Sequence, residues 1–477
     1  MARIIVLGGG ACGLAAGMLL RRDGHEVTVL ERDPAPVPDS VQEAWEGWSR
    51  EGVTQFRLPH VLLSRGRLVL EEALPDVCKA LSAAGGLRLD WLASMPPSII
   101  DRAPREGDDR LWTLTARRPV LEQVLGSAAA AEPGLEIRRG VAVQGFVLST
   151  YDSTPHVSGV RTESGEELLA DLVVDAMGRR SQLPRWLEAA GARSVYEEAA
   201  DSGFIYYGRH FRARDGSVPE LRAPVQTKIG TFSLLTIPAD NDTWSVTVVT
   251  SSGDQPLKRL RDEAAWTALL SACPLHSHWL DGEPISEMLA MGGVLDRYRR
   301  LRVDGELAVT GIAPVADAWA CTNPSDGRGI SLGLWHVQLL RDAVREHLDD
   351  PHGFAEAWDA VTEAELAPWY RETVTEDRAR VAEIEALRNG LVPPPAPTGS
   401  WLALMPAVFG AVQRDPDVFR AFVAWRGCLT RMGETCADEG FVERILELAR
   451  DQREPPVLPG PDRAQLLALL EGTATVA

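Results

Sequence analysis

The sequence predicts an α/β fold of the doubly wound type, with an antiparallel β-sheet inserted late in the chain and a helical C-terminal region. Three observations predict it: a βαβ unit with a glycine signature over residues 4–32, a run of period-two strands over residues 196–297, and helical periodicity after residue 350.

The first unit reads IIVLGGGACGLAAGMLLRRDGHEVTVLER. An apolar strand runs into Gly8, Gly10 and Gly13 at G-x-G-x-x-G spacing, a helix of small and apolar residues follows, and a second strand ends on Glu31. Gly8 allows the tight turn off the strand. Gly10 lets a pyrophosphate approach the backbone with no Cβ between them, and Gly13 lets the helix lie close on the sheet. Amide N–H groups at the helix start face the phosphate charge, and Glu31 is placed to accept the ribose hydroxyls. The unit is therefore expected to bind a dinucleotide, FAD or NAD, and its place at the start of the sequence favours a tightly held FAD.

Composition narrows the partners. Across 477 residues, 49 Lys and Arg stand against 68 Asp and Glu, a formal charge of -19 that repels nucleic acid and anionic lipid. Six cysteines (Cys12, Cys78, Cys273, Cys321, Cys428 and Cys436) are scattered without C-x-x-C pairs or His at metal spacing, so neither a metal site nor a disulfide framework is expected. The opening strand carries a single Arg and flows into the glycine loop, which argues against a cleavable signal peptide, and no apolar run has the length of a membrane span. A cytoplasmic protein with reduced thiols and no stable membrane insertion is the expectation.

After a loop rich in proline, apolar residues from Pro59 to the Gly85-Gly86 pair recur at helical spacing, and His60 and Arg65 lie near the start of this predicted helix. Either residue satisfies local polar groups or serves a pocket. A second helix begins at Arg118, with Pro119 suited to its first turn, and a guanidinium at a helix N-terminus calls for an anion beside it. A pyrophosphate would be one. Several strands follow, and the last, ADLVVDA, is apolar on both faces and ends at Asp175-Ala176-Met177-Gly178, the position where open α/β sheets hold ligands.

Residues 196–297 read as an antiparallel sheet with one open face, a wall for a substrate pocket, with a helix inserted after its strands. Beyond it, a strand at residues 307–312 leads to Ala316-Asp317-Ala318, a turn rich in Pro and Gly, and a helix over about residues 330–344. Gly327 and Gly329 bring helix N–H groups close to the turn, while Asp317, Trp319, Asn323 and Pro324 converge as an acceptor beside a flat apolar surface. This is a second ligand-binding loop, opposite the first. The rest is helical by pattern, interrupted by VPPPAPTGS.

These stretches, in this order, resemble the flavin monooxygenases with the p-hydroxybenzoate hydroxylase fold. GGGACG with Glu31 and Arg32 is similar to their first FAD motif, Arg118 with Leu121 and Leu125 to their R-x-x-L-x-x-x-L helix, DAMGRRS to their D-G motif, and ADAWACTNPSDGRG to their G-D motif. The resemblance implies a Rossmann-like, GR2-type FAD-binding domain at residues 1–195 and 298–350, joined by part of a substrate region around 40–110. A β-sheet substrate domain at 196–297 and a helical region at 351–477 complete the chain. It implies that Glu31 and Arg32 hold the adenosine ribose, that Arg118 reaches the pyrophosphate or ribityl chain, that Asp317 takes a ribityl hydroxyl, and that Pro324, Gly327, Gly329 and Ile330 border the isoalloxazine. Asp175 joins the cofactor set, and His60, Arg65 and Trp319 form a candidate substrate pocket.

Within that fold, QFRLPHVLLSRGRLVLEEALP and DAWACTNPSDGRGISLG look closest to the actinobacterial polyether-type polyene epoxidases and the squalene epoxidase-like branch. Such proteins deliver oxygen to an alkene from a C4a-hydroperoxyflavin, which implies a monooxygenase that epoxidises or hydroxylates a large apolar natural product with molecular oxygen. No catalytic side chain is identified. NADPH or NADH would be a transient electron donor, directly or through a separate flavin reductase, because only one G-x-G-x-x-G is present. Two departures stand out: Ala316 replaces the usual Gly of the G-D motif, and DAMG replaces the commoner D-G pair. They keep open a flavin reductase or dehydrogenase acting on isoprenoid-like double bonds, and a non-redox enzyme or binding protein on the same scaffold. The Lys and W-x-W-x-I-P features of flavin halogenases are absent.

Overall fold

In the computed structural model, which describes residues 1–450 and 458–472, five parallel strands form the central sheet in the order Ile312–Pro314, Leu172–Asp175, Arg3–Leu7, Glu26–Glu31, Leu135–Arg139. The strand Arg3–Leu7 is apolar from Ile4 onward because both faces are covered there. Ile4 and Val6 pack with Leu14, Val120 and Leu334 of three helices, Ala11–Arg22, Arg118–Ala131 and Arg328–His347. Ile5 and Leu7 pack on the other face with Phe146 and Val157 of a three-stranded antiparallel sheet. The register sets Leu7 beside Leu30 and Asp175, and Asp175 beside Pro314. Four strand ends therefore lie level, and the loops that follow them share one edge of the sheet, where ligands bind in such folds.

The predicted helix after Pro59 is two helices, Ser64–Ala73 and Pro75–Ala83, broken at Leu74. Pro75 supplies no N–H and pushes the residue before it out of the helical region, so Leu74 adopts φ -136°, ψ 57°. The G-D-like segment also differs in detail: its strand is Ile312–Pro314, and the helix behind it begins two residues earlier than expected and runs from Arg328 to His347.

The antiparallel sheet spans Gln226–Ile229, Phe232–Pro238, Thr243–Ser251, Phe204–Arg212 and Glu283–Pro284, with Leu289–Met291 also paired to Phe204–Arg212. Its expected open face is not observed. Every residue of Phe232–Pro238 and Thr243–Ser251 is buried. Tyr207, Phe232, Leu234 and Val246 pack with Trp266 of the inserted helix and with Leu466 and Leu470 near the C-terminus. On the other face, Tyr206, Leu235, Ile237 and Val249 meet Val408, Phe419 and Trp425. The C-terminal helices thus close a face that the strand pattern leaves bare. Of the helical region expected over 351–477, residues 451–457 and 473–477 lie outside the described residues.

A smaller sheet of Tyr196–Asp201, Leu295–Arg300 and Ala320–Cys321 joins the two halves of the molecule. Arg297 donates to the carbonyls of Arg179 and Asp317, at 2.8 and 3.0 Å, and Arg299 donates to those of Ala318 and Ser181, at 3.0 and 3.1 Å. Two arginines on one strand thereby tie the loop after Asp175 to the loop around Asp317.

Candidate functional site

A cleft of about 720 Å³ runs along the carboxyl ends of the parallel strands, within the ~300–1,000 Å³ of cofactor and small-molecule sites. Its middle is built by the two glycine-rich loops. Gly8 has φ +101°, and a Cβ added at Gly13 would lie 1.9 Å from the Gly8 carbonyl oxygen, so both must be glycine for strand and helix to meet. At Gly10 an added Cβ meets nothing within 4 Å, because the backbone there faces the cleft. The helices beginning at Ala11 and Arg328 have glycine N-caps, Gly10 and Gly327, with no side-chain cap bond. Their first N–H groups are left to a ligand or water.

Behind the glycine loop lies a buried chain of charges. Glu31 accepts from the Gly9 N–H at 2.9 Å and the Asp33 N–H at 2.9 Å, and pairs with Arg50 at 2.6 Å. Arg50 also meets Glu122 at 2.9 Å and Asp33 at 3.3 Å. Glu122 in turn holds Arg118 at 2.6 Å, and the Arg118 guanidinium faces His60 Nε2 at 3.2 Å. The anion that a guanidinium at this helix start requires is thus supplied by the protein itself, one turn along. His60 Nδ1 lies 2.8 Å from the Leu58 carbonyl, which makes Nδ1 the protonated nitrogen and Nε2 the acceptor for Arg118. Burial, with Arg118 beside it, pushes the His60 pKa down to about 3, so the ring is neutral at physiological pH.

On the opposite wall, Asp317 lines the cleft, 3.7 Å from Arg179, and no side-chain hydrogen bond to its carboxylate is formed among the described residues. Ala316, where the motif has glycine, has φ +50°. Its N–H donates to His336 Nδ1 at 3.0 Å, and His336 stacks on Trp358 and meets the edge of Trp319. Burial lowers the His336 pKa to about 3. Pro324, Gly327, Gly329 and Ile330 all line the cleft. Trp319, Leu332, Leu366, Trp369, Tyr370 and Thr373 also line the cleft and make up its chamber wall.

Of the residues expected from sequence, Gly8, Gly10, Glu31, Arg32, Arg118, Asp317, Pro324, Gly327, Gly329, Ile330, His60 and Trp319 line this one cleft. Three do not. Gly13 packs helix against loop, as its spacing requires. Asp175 is fully buried, and its carboxylate accepts from the Met177 N–H at 3.0 Å and from the Ser181 hydroxyl. It shapes the turn instead of touching a ligand, and burial raises its pKa. Arg65 is no pocket residue: it donates to the carbonyls of Cys428 and Leu429, at 3.0 and 3.1 Å, and lies over the Trp335 ring, anchoring the C-terminal helices.

Sequence reasoning missed Arg50, Glu122 and the chamber wall on the helix Ala367–Arg388. Glu122 had a signal, standing four residues after Arg118 on the same helical face. Arg50 and Thr373 had none.

A model of the NAD(P)-binding Rossmann-like domain matches residues 6–38. Protein Rv3254 of Mycobacterium tuberculosis is 28% identical over 364 residues, 72% of either chain. Among solved structures, the Diels-Alderase PyrE3 of pyrroindomycin biosynthesis superposes with a TM-score of 0.58 at 16% identity, over 90% of this chain and 81% of its own. The anhydrotetracycline hydroxylase OxyS of Streptomyces rimosus gives 0.56 at 16% identity, over 90% and 76%. The fold is that of these structures: an α/β Rossmann-like domain with antiparallel sheets and C-terminal helices.

Proposed function

We propose that the cleft holds FAD and that the protein is a flavin-dependent monooxygenase, inserting one oxygen atom by epoxidation or hydroxylation into a large apolar substrate. The observation that carries this reading is that one cleft is lined both by the two glycine-rich loops and by the aromatic side chains of Trp319, Trp369 and Tyr370. The residues fit the cofactor. An added Cβ at Gly10 points into open space, and at Gly178 and Gly329 it meets only Asp317, at 3.9 Å, so a long ligand passes over these backbones without a clash. Arg179 Nε is buried without a hydrogen bond among the described residues, in a cleft where phosphates would use it.

Bound FAD supplies the redox chemistry and the activation of oxygen. Glu31 and Arg32 hold the ribose, and the N–H groups after Gly10, with Arg118, take the pyrophosphate. Asp317 accepts a ribityl hydroxyl, and the segment from Pro324 to Ile330 borders the ring system. Arg50 holds the Glu31 carboxylate toward the ribose. His60, neutral at pH 7, orients Arg118 by accepting its N–H and is no proton donor. Trp319, Leu366, Trp369 and Tyr370 exclude water and present flat apolar surface to the substrate.

The test begins with an absorption spectrum of the purified protein, then NADPH and NADH added without oxygen, then labelled oxygen with candidate polyenes. A flavin spectrum that bleaches, with label in the product, is expected. Bleaching only with an added flavin reductase assigns the electron supply to a partner, and reduction of an isoprenoid-like double bond without label selects the reductase reading. A second reading, a non-redox enzyme on the same scaffold, is favoured by the likeness to the Diels-Alderase and by Ala316. It expects flavin that is bound but never cycles during turnover.

A further inference from the structure

Six aromatic rings run from the cleft to the protein surface or into its core. Trp319 lines the cleft and is 7% exposed. Its ring meets Tyr298 at 5.5 Å between centroids, and Tyr298 meets Tyr196 at 6.1 Å. Tyr298 is 5% exposed and Tyr196 45%, so the series leads outward. Both tyrosines are carried by the small joining sheet, Tyr298 on its central strand and Tyr196 on its edge.

Each phenol on this line has a carboxylate as its hydrogen-bond acceptor. Tyr298 donates to Glu363, and Tyr196 donates to Glu198 at 3.0 Å. Arg371 pairs with the other oxygen of Glu363 at 2.9 Å and so fixes that acceptor. The branches lack this arrangement. Tyr370 stacks on Tyr298 at 5.3 Å but forms no hydrogen bond through its phenol among the described residues, and His336 with Trp358 leads inward. Any buried phenol calls for a hydrogen-bond acceptor, but a carboxylate, unlike a backbone carbonyl, can also take up the proton that a phenol loses on one-electron oxidation.

We propose that Trp319, Tyr298 and Tyr196 form a redox relay that carries one-electron oxidising equivalents from the cleft to the surface, each phenol passing its proton to the carboxylate beside it. The relay rests on the flavin reading of the cleft. The Trp319 indole loses one electron to an oxidant in the cleft, of the light-excited flavin class. Tyr298 returns one electron to Trp319 and gives its phenolic proton to Glu363, becoming a neutral radical. Tyr196 then gives one electron to Tyr298, which recovers its proton from Glu363, while the Tyr196 proton passes to Glu198. The balance is one electron delivered to the oxidant and one neutral radical at the surface. A thiol or ascorbate in solution quenches it by supplying one electron, and Glu198 returns the proton. Direction follows from chemistry: a phenol with a proton acceptor is easier to oxidise than an indole, and the last site lies in water. The function is to remove stray oxidising equivalents before they damage the pocket.

The experiment uses the full chain loaded with FAD, illuminated without oxygen, frozen and examined by electron paramagnetic resonance. A tyrosyl signal is expected in the wild type. Tyr298→Phe keeps the ring and its packing, and lowers the tyrosyl yield several-fold. Tyr196→Phe moves the signal to Tyr298, with a different hyperfine pattern, and Glu363→Gln lowers the yield without altering thermal stability as Tyr298→Phe leaves it. A flavin-loaded protein whose tyrosyl yield and spectrum are unaffected by Tyr298→Phe and Tyr196→Phe overturns the relay alone. A chain that takes up no FAD overturns the relay together with the flavin reading.

Discussion

Replacing Arg50 by Met should be among the most costly single changes in this protein, and the site gives the size of the effect. The guanidinium side chain is 4% exposed and pairs with three carboxylates, Glu31 at 2.6 Å, Glu122 at 2.9 Å and Asp33 at 3.3 Å. A pair of unit charges at about 4 Å is worth about 4 kcal/mol at an effective dielectric of about 20. Desolvation of the guanidinium offsets part of this, so the pairs do not sum. Removing one member of a buried ionic cluster nonetheless leaves its partners uncompensated, which costs about 3–5 kcal/mol. Met fills most of the same volume, so little of the loss comes from a cavity. Urea unfolding of Arg50→Met against wild type, both without flavin, measures it. Glu31→Gln in the Arg50→Met background should restore part of the loss, since Arg50 is the one cation that pairs with Glu31 among the described residues, whereas Glu122 keeps Arg118. The double-mutant cycle should therefore yield a coupling of about 1–3 kcal/mol. A loss below about 1 kcal/mol, or strict additivity, would falsify the description of these residues as one buried network. On the FAD reading of the cleft, flavin affinity provides an independent readout, because Glu31 without Arg50 is no longer held toward the ribose.

Three further outcomes are expected. Ala316→Gly should stabilise the protein by about 0.5–1 kcal/mol in urea unfolding, because an alanine at φ +50° carries left-handed strain that exceeds the entropy glycine adds to the unfolded chain; a destabilised variant contradicts this. Gly13→Ala should cost about 3 kcal/mol or more and abolish flavin uptake, since the new methyl meets the Gly8 backbone at 1.9 Å and not a side chain that can move aside; normal folding with bound flavin would refute the packing argument. Acid should destabilise the fold through His336, whose folded pKa is lowered to about 3 from 6.5. The unfolded chain takes the proton first, so stability is complete above pH about 6.5 and falls by up to about 1.4 kcal/mol per unit as pH drops toward 3. Protonating Nδ1 would also set a donor against the Ala316 N–H. His336→Gln keeps an acceptor there and should remove its share of the slope between pH 6.5 and 5, the rest staying with His60, His210 and His276, whose pKa values burial also lowers; an unchanged slope counts against it.

The parts of the molecule legible in the sequence are those set by local rules. The glycine loop, the strand ending in Glu31, the Arg118 helix with Pro119 in its first turn and the turn at Pro324 to Gly329 each carry their reason within about thirty residues: steric tolerance at glycine, helix-start chemistry, and apolar strands that only a doubly covered sheet can bury. Asp175 ends its strand where the apolar pattern puts it, but sequence position does not reveal which way a carboxylate turns. It closes its own loop through Met177 and Ser181.

What only the tertiary structure decided are the contacts between segments far apart in sequence. Arg50 has no local signal, yet it neutralises Glu31 and Glu122 from a loop between them. Arg65 looks like a pocket residue beside His60 until Cys428 and Leu429 are seen to receive its N–H groups. The chamber wall comes from Trp369, Tyr370 and Thr373 on a helix whose periodicity describes only its own amphipathicity, and the helices near the C-terminus cover the sheet face that the strands alone leave open. A short-range pattern fixes which residues share a face. It does not fix which distant surface that face will meet, because burial is non-directional and only the packing of the whole chain, with each buried charge given a partner, selects one arrangement.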